Sequence, residues 1–176
     1  MTDEQLVTDA RNGDMKAFEQ FVARRESRVI AFVAARFDGN VNWVEDVAHE
    51  VFLKVLYGAY EPRGRFSAWF CRVVVDEIAA FLGKQPMGAP IQGRQGEAGV
   101  TWRQTQDDEQ IALLRDAVLS LNTIHRDVVL LRFMEELTGA EIAEVLDIDV
   151  DTVWSRLNAA LRQLRPKLVP RGQGSE

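Results

Sequence analysis

Residues Leu137–Leu157 read LTGAEIAEVLDIDVDTVWSRL, and this stretch decides the fold. Thr138 and Glu141 have capping-box spacing and directly precede the apolar positions Ile142, Val145 and Leu146. Asp147-Ile148-Asp149 turns the chain, and Asp149 can cap a second helix. In that helix Val153, Leu157, Leu161 and Leu164 are expected to form a buried ridge, and Pro166 to end it. Two short helices around a tight turn make a helix-turn-helix, whose second helix enters the DNA major groove.

If Val153 and Leu157 face inward, the residues between them face outward. Thr152, Ser155 and Asn158 are then candidate base or phosphate partners. Trp154 reads two ways: a contact to a thymine methyl or sugar, or a half-buried packing residue. From Ser155 to Ser175 the chain carries Arg156, Arg162, Arg165, Lys167 and Arg171 and no acid. Cations also favour a helix C-terminus, which accounts for some of them. Arg156 and Arg162 are the candidate phosphate contacts. Asp149 and Asp151 oppose DNA, so intrinsic affinity is expected to be weak.

The rest of the 176 residues bounds this reading. A net charge of −6 argues against indiscriminate DNA coating, which needs clustered Lys and Arg. The 47% apolar content supports real cores, and 27% charge is ordinary for a soluble chain. The N-terminus is polar and acidic, unlike a signal peptide, and the longest apolar run, Val29–Ala35, is far too short for a bilayer. The expected location is the cytoplasm. Cys71 is the single cysteine, so no intrachain disulfide forms, and with only His49 and His125 beside it no structural zinc site is expected. Neither His stands in a Ser, Cys or metal constellation, and there is no phosphate-cradling Gly loop. No enzymatic activity, cofactor or metal is expected.

Composition shifts after Leu82: Gly83–Gln106 holds five Gly, two Pro and five Gln with little apolar periodicity. That reads as a flexible linker, with Trp102 either docked or simply carried on it. The expected fold is all-α: a helical domain over 1–83, a linker over 84–106, a second helical domain over 107–170 with the helix-turn-helix, and a tail over 171–176. In the first domain Thr2 with Gln5 caps a helix that Asn12-Gly13 ends, and Asp14 caps the next. That helix carries the stripe Phe18, Phe21, Val22, Val29, Phe32, Val33 and Phe37, up to a turn at Asp38-Gly39-Asn40. A third runs from about Val44 to Tyr57 on the ridge Val47, Val51, Val55, until Pro62 and Gly64 break it. A fourth runs from Ser67 to Leu82, despite the β propensity of Val73-Val74-Val75, through Trp69, Phe70, Val73, Val74, Ile78, Phe81 and Leu82. The second domain opens with helices over Asp107–Leu119 and Thr123–Met134, the latter capped by Thr123.

Two long stretches and one short one resemble the extracytoplasmic-function sigma factors, small initiation subunits of bacterial RNA polymerase. Trp43–Lys54, WVEDVAHEVFLK, followed by Phe66-Ser67-Ala68-Trp69-Phe70, is similar to the family's "AEDLxQEVFLK … FRxWL". Leu121–Leu164 is similar to "LPxxxRxVxxLRxxEGLSxxEIAxxLGISxGTVKSRLxRAxxxL", and Gly13-Asp14 with Ala17-Phe18 to "GDxxAF". The resemblance implies that Asp46, His49 and Glu50 dock on a coiled coil of the polymerase largest subunit, with His49 standing where Gln is usual. A paired acidic face suits a basic partner helix. Val47, Val51, Phe66 and Trp69 read as core. The resemblance further implies that the first domain serves the −10 element and the helix-turn-helix the −35 element, with an anti-sigma factor or other regulatory protein as a further partner.

The chain departs from the pattern where it would meet DNA. The family's "IARNxxxDxxRR" is replaced by Val73–Lys84, so its Arg-Asn pair is Val75-Asp76 and its later Asp and Arg are Ala80 and Gly83. Arg63, Arg65, Arg72 and Lys84 remain as phosphate candidates nearby. In the last helix the usual Gly-Thr-Val-Lys is Asp151-Thr152-Val153-Trp154. Both changes weaken the expected autonomous binding of promoters. Elements two duplex turns apart lie roughly 70 Å apart; the linker reaches at most about 80 Å extended and about 25 Å as a coil. The reading is an initiation factor that joins core polymerase. Two alternatives stay open: a sigma-like protein that docks on polymerase or on a regulator but cannot open DNA, and a free-standing helix-turn-helix regulator whose residues 1–83 sense or dimerise.

Overall fold

The computed structural model describes residues 1–37, 43–58, 65–84 and 109–168. Every regular element among them is a helix: α1 (Asp3–Arg11), α2 (Met15–Arg36), α3 (Val44–Tyr57), α4 (Phe66–Lys84), α5 (Glu109–Leu119), α6 (Thr123–Phe133), α7 (Gly139–Leu146) and α8 (Val150–Leu168). The chain divides into two compact units, Met1–Gly99 and Val100–Glu176. The turn at Asp38-Gly39-Asn40, the break at Pro62 and Gly64, Arg63, the linker beyond Lys84 with Trp102, the expected helix start at Asp107, Arg171 and the tail lie outside the described residues.

In the first unit the caps fall where the sequence puts them. Thr2 accepts from Gln5 N and Gln5 reaches back to Thr2 N at 2.9 Å, closing the capping box. The Asp14 carboxylate accepts from Lys16 N at 3.0 Å and Ala17 N at 3.2 Å. α2 packs on α1, α3 and α4, burying Phe21, Val29, Phe32 and Val33. Phe21 is the hub: its ring meets Phe52, Phe66 and Phe70 edge-on, with centroids 5.5–6.0 Å apart. At the far end Phe81 meets Phe37 and Trp43. Leu82, expected on the apolar stripe, is instead exposed, because it follows the ring cluster that closes this end of the core. α4 continues through Gly83 to Lys84, so its last turn extends into the segment read as linker.

Long-range polar contacts, which periodicity cannot show, tie these helices together. At the end of α1, Arg11 donates through Nε (2.9 Å) and Nη2 (2.5 Å) to the Val55 carbonyl near the end of α3. The same guanidinium stands 5.6 Å from the Trp69 ring centroid, so Trp69 is half-buried under a cation rather than sealed in the core. Asp3 receives Arg25 Nε at 2.6 Å, and Arg25 lies over the Phe70 ring.

In the second unit α8 is the element that the others share: α5, α6 and α7 all pack on it. Its buried ridge is Val153, Leu157, Ala160 and Leu164. Leu161, expected in that ridge, is 41% exposed; the 3.6-residue period returns to Ala160, whose small side chain takes the inward position. Pro166 does not end the helix, which runs on to Leu168. Proline lacks the N–H that would bond the carbonyl four residues back, and Lys167 reaches Ser120 Oγ beside it in the last turn. α6 is capped by Asn122, not Thr123: Asn122 Oδ1 accepts from His125 N at 3.0 Å, one residue earlier than expected. The Thr138–Glu141 capping box of α7 is present, with Thr138 N donating to Glu141 Oε2 at 2.7 Å.

Glu136 and Asp147 both adopt φ 54°, the left-handed region, and flank α7. In the family pattern both positions are glycine. A left-handed residue with a Cβ costs roughly 1–2 kcal/mol, partly offset by the larger chain entropy that glycine loses on folding. Glu136→Gly and Asp147→Gly are therefore each expected to stabilise the second unit by about 0.5–1 kcal/mol, with Glu136 the larger, because Asp tolerates this region better. Urea unfolding of the full chain, followed by its second-unit transition, checks this; a lower midpoint in either variant contradicts it.

Candidate functional site

The first surface is on α3. Val44, Val47, Ala48, Val51, Phe52, Val55 and Leu56 are buried, which turns Glu45, Asp46, His49 and Glu50 to solvent. Asp46 and Glu50 stand one helical turn apart on this exposed face, with His49 beside them. One turn further on, Lys54 pairs with Glu77 of α4. That hydrogen bond, ahead of desolvation acting the other way and of the charges around it, raises the Lys54 pKa above its ordinary value. The lysine is thus fixed toward α4, and the exposed end of α3 keeps an acidic character. Tyr57, 79% exposed, continues this side of the helix.

The second surface is on α4. Arg65 sits exposed just before the helix, its carbonyl accepting from Ala68 N and Trp69 N. Arg72 follows two turns later on the same side, while Lys84 lies about 120° around the helix from Arg72. The structure therefore brings Arg65 and Arg72 along one flank and sets Lys84 apart. Arg72 is engaged: its Nε lies 3.2 Å from both Oδ1 and Oδ2 of Asp76. The residue that replaces the family's Asn thus sits against one of the few cations of this helix.

The third surface is the helix-turn-helix of α7 and α8. Asp149 caps α8, accepting from Thr152 N at 2.8 Å and from Thr152 Oγ1 at 2.9 Å. These bonds, the backbone one first, hold the Asp149 carboxyl below its ordinary pKa, so it remains charged at the helix entrance. Thr152 donates its hydroxyl proton to this cap, which its outward position in the sequence pattern does not reveal, and its oxygen keeps acceptor capacity. Ser155, Asn158 and Arg162 fall at i, i+3 and i+7 along one exposed strip. Thr152 and the half-buried Arg156 flank one side of it; Trp154 and Leu161 flank the other. Trp154 is 42% exposed, and its indole lies against Gly139 at the start of α7. Trp154 thus packs against α7, as one of its two readings has it, and keeps a face to solvent.

Sequence reasoning missed Gly139, because a glycine after a capping Thr carries no signal until Trp154 is known to touch it. It also missed Arg126, which is 3% exposed and donates through Nη2 to the carbonyls of Leu119 and Leu121, at 2.7 Å each. Among the described residues no group of three or more His, Cys, Asp or Glu could hold a metal ion, and no helix is long and apolar enough to cross a membrane.

The exposed acidic face of α3, the cations of α4 and the helix-turn-helix of α7 and α8 belong to a chain of the sigma-70 class. Sigma-70 region 2 matches residues 22–85, and sigma-70 region 4 matches residues 111–164; the two spans together take up more than half of the chain. The ECF RNA polymerase sigma-E factor of Haemophilus influenzae is 28% identical over 186 residues, with 97% of each chain covered. ECF RNA polymerase sigma factor SigW of Bacillus subtilis is 29% identical over 184 residues, covering 94% of this chain and 96% of that one. The solved sigma factor RpoE of Bartonella quintana, in complex with the anti-sigma factor NepR, shares the fold at a TM-score of 0.66 and 16% identity, covering 87% of this chain and 97% of that one. The chain belongs to the extracytoplasmic-function sigma factors and is a transcription initiation factor.

Proposed function

We propose that this factor divides its work among the three surfaces. Asp46, His49 and Glu50 dock on the coiled coil of the core polymerase largest subunit. Arg63, Arg65, Arg72 and Lys84 meet the −10 element, and Thr152, Trp154, Ser155, Arg156, Asn158 and Arg162 read the −35 element. The observation that carries this reading is the exposed Asp46–Glu50 pair on a helix whose next cation, Lys54, is bound to Glu77. The chain catalyses no reaction itself and works in the cytoplasm, with the polymerase supplying most of the grip on DNA. Residues 1–83 form the docking and −10 domain, 84–106 the linker, and 107–170 the −35 domain. As with the Bartonella relative and NepR, an anti-sigma protein is the expected silencing partner.

The Arg72–Asp76 contact favours a second reading, in which the factor docks on polymerase but opens DNA poorly. Run-off transcription with core polymerase, on promoters selected from a randomised library, separates the two. Transcript from the unaltered chain supports the first reading; binding without an open complex supports the second. Asp76→Asn restores the family's residue and removes the charge facing Arg72. It is expected to raise the open-complex yield several-fold, since one opposing charge near phosphate is worth on the order of 1 kcal/mol. A yield equal to that of the unaltered chain would show that Asp76 does not restrain Arg72.

A further inference from the structure

Gly139 occupies the first position of α7. Its backbone does not require glycine, since its φ lies outside the left-handed region. Alanine would also favour the helix more. What a side chain there would meet is the indole of Trp154: a Cβ on Gly139 would lie 2.9 Å from Trp154 Cζ2, 3.0 Å from Cε2 and 3.2 Å from Nε1, so the ring would have to shift. Gly139 is itself buried while Trp154 remains 42% exposed. The ring is therefore seated on one side and open on another. It stands in the second turn of α8, beside the strip of Ser155, Asn158 and Arg162.

We propose that Gly139 is a positioning residue, and that the Gly139–Trp154 contact makes Trp154 a thymine reader at the upstream element. This rests on the reading that α8 enters the major groove. In that groove thymine differs from cytosine by its O4 acceptor and its C5 methyl, and the methyl is the feature an apolar ring can recognise. A long, freely rotating lysine at this position would contact phosphates without regard to sequence. A seated indole loses little conformational freedom on binding and presents a fixed apolar face. The chain thus exchanges a general phosphate contact for a contact with one kind of base.

The test uses the holoenzyme assembled from core polymerase and the full chain. Preferred upstream duplexes are recovered from a randomised promoter library, and each thymine is replaced in turn by deoxyuridine, which removes only the methyl. At one position the unaltered factor is expected to lose about 3- to 5-fold in affinity, the contribution of one buried methyl. Trp154→Lys should lose this discrimination and show a steeper salt dependence. Gly139→Ala should reduce the thymine-to-uracil ratio below about 2-fold, because the displaced ring no longer holds its place. Thermal melts of the single and double variants show whether folding is at fault: with Trp154→Lys present, Gly139→Ala should cost little, since no ring remains to collide with. Equal thymine-to-uracil ratios in all the chains, with upstream binding intact, overturn the proposal. If no upstream duplex is selected at all, the major-groove reading fails first, and this inference with it.

Discussion

The double substitution Asp46→Ala/Glu50→Ala should weaken binding to core RNA polymerase by about 30-fold or more, because removing charges from a complementary interface costs at least ~2 kcal/mol. The two carboxylates stand on the exposed side of α3, and the apolar side of that helix is buried in the first unit. Their removal deletes charge without opening a cavity, so the thermal midpoint should stay within a few degrees of that of the unaltered chain. Arg156→Ala should leave core binding within about twofold while lowering affinity for upstream duplex in the holoenzyme. With one phosphate fewer neutralised, the salt slope should also become shallower by about 0.9. Fluorescence anisotropy with purified core polymerase, across a salt series, reads both effects. If the two variants weaken core binding equally, the proposed division between docking and DNA reading is wrong.

Arg126→Met should unfold the second unit. Arg126 is buried, and its guanidinium donates to the last carbonyl of α5 and to the Leu121 carbonyl, joining α5 and the following turn to α6. Methionine keeps much of the volume and removes the donors, stranding buried acceptors. Breaking such a buried charged contact costs ~3–5 kcal/mol. Over about sixty residues such a unit is stable by only ~3–9 kcal/mol, at about 0.05–0.15 kcal/mol per residue, so most of its stability would go. Circular dichroism should show the second unit melting more than 15 °C lower, on the scale of about 4–8 °C per kcal/mol, or already unfolded at 25 °C. Core polymerase binding through the first unit should persist. A midpoint shift below about 4 °C would mean that Arg126 contributes no more than one ordinary hydrogen bond.

Helix positions and caps were legible in the sequence because their signals are local. Thr2 with Gln5, Asp14, Thr138 with Glu141 and Asp149 each satisfy a helix N-terminus within three residues of themselves. The buried stripes of α2 and α3 follow from their 3.6-residue repeat. Where two local signals compete, sequence alone does not choose between them. Asn122 and Thr123 can both cap, and the Asn side chain reaches the donor. Pro166 is a helix breaker by composition, yet it lies near the end of a helix that the Lys167–Ser120 contact secures.

The order of apolar and polar residues alone determined an all-helical chain in two units, with a helix-turn-helix near the end and an acidic face on α3. These depend on the period of the helix and on side chains a few residues apart. Tertiary structure alone decided which side chains remain available: Lys54 turns to Glu77, Arg11 is drawn to the Val55 carbonyl, Arg126 is buried, and Trp154 is seated on Gly139. Each of these joins residues on different elements. Such contacts form only when packing has set the distance between helices, and no periodic pattern records that distance.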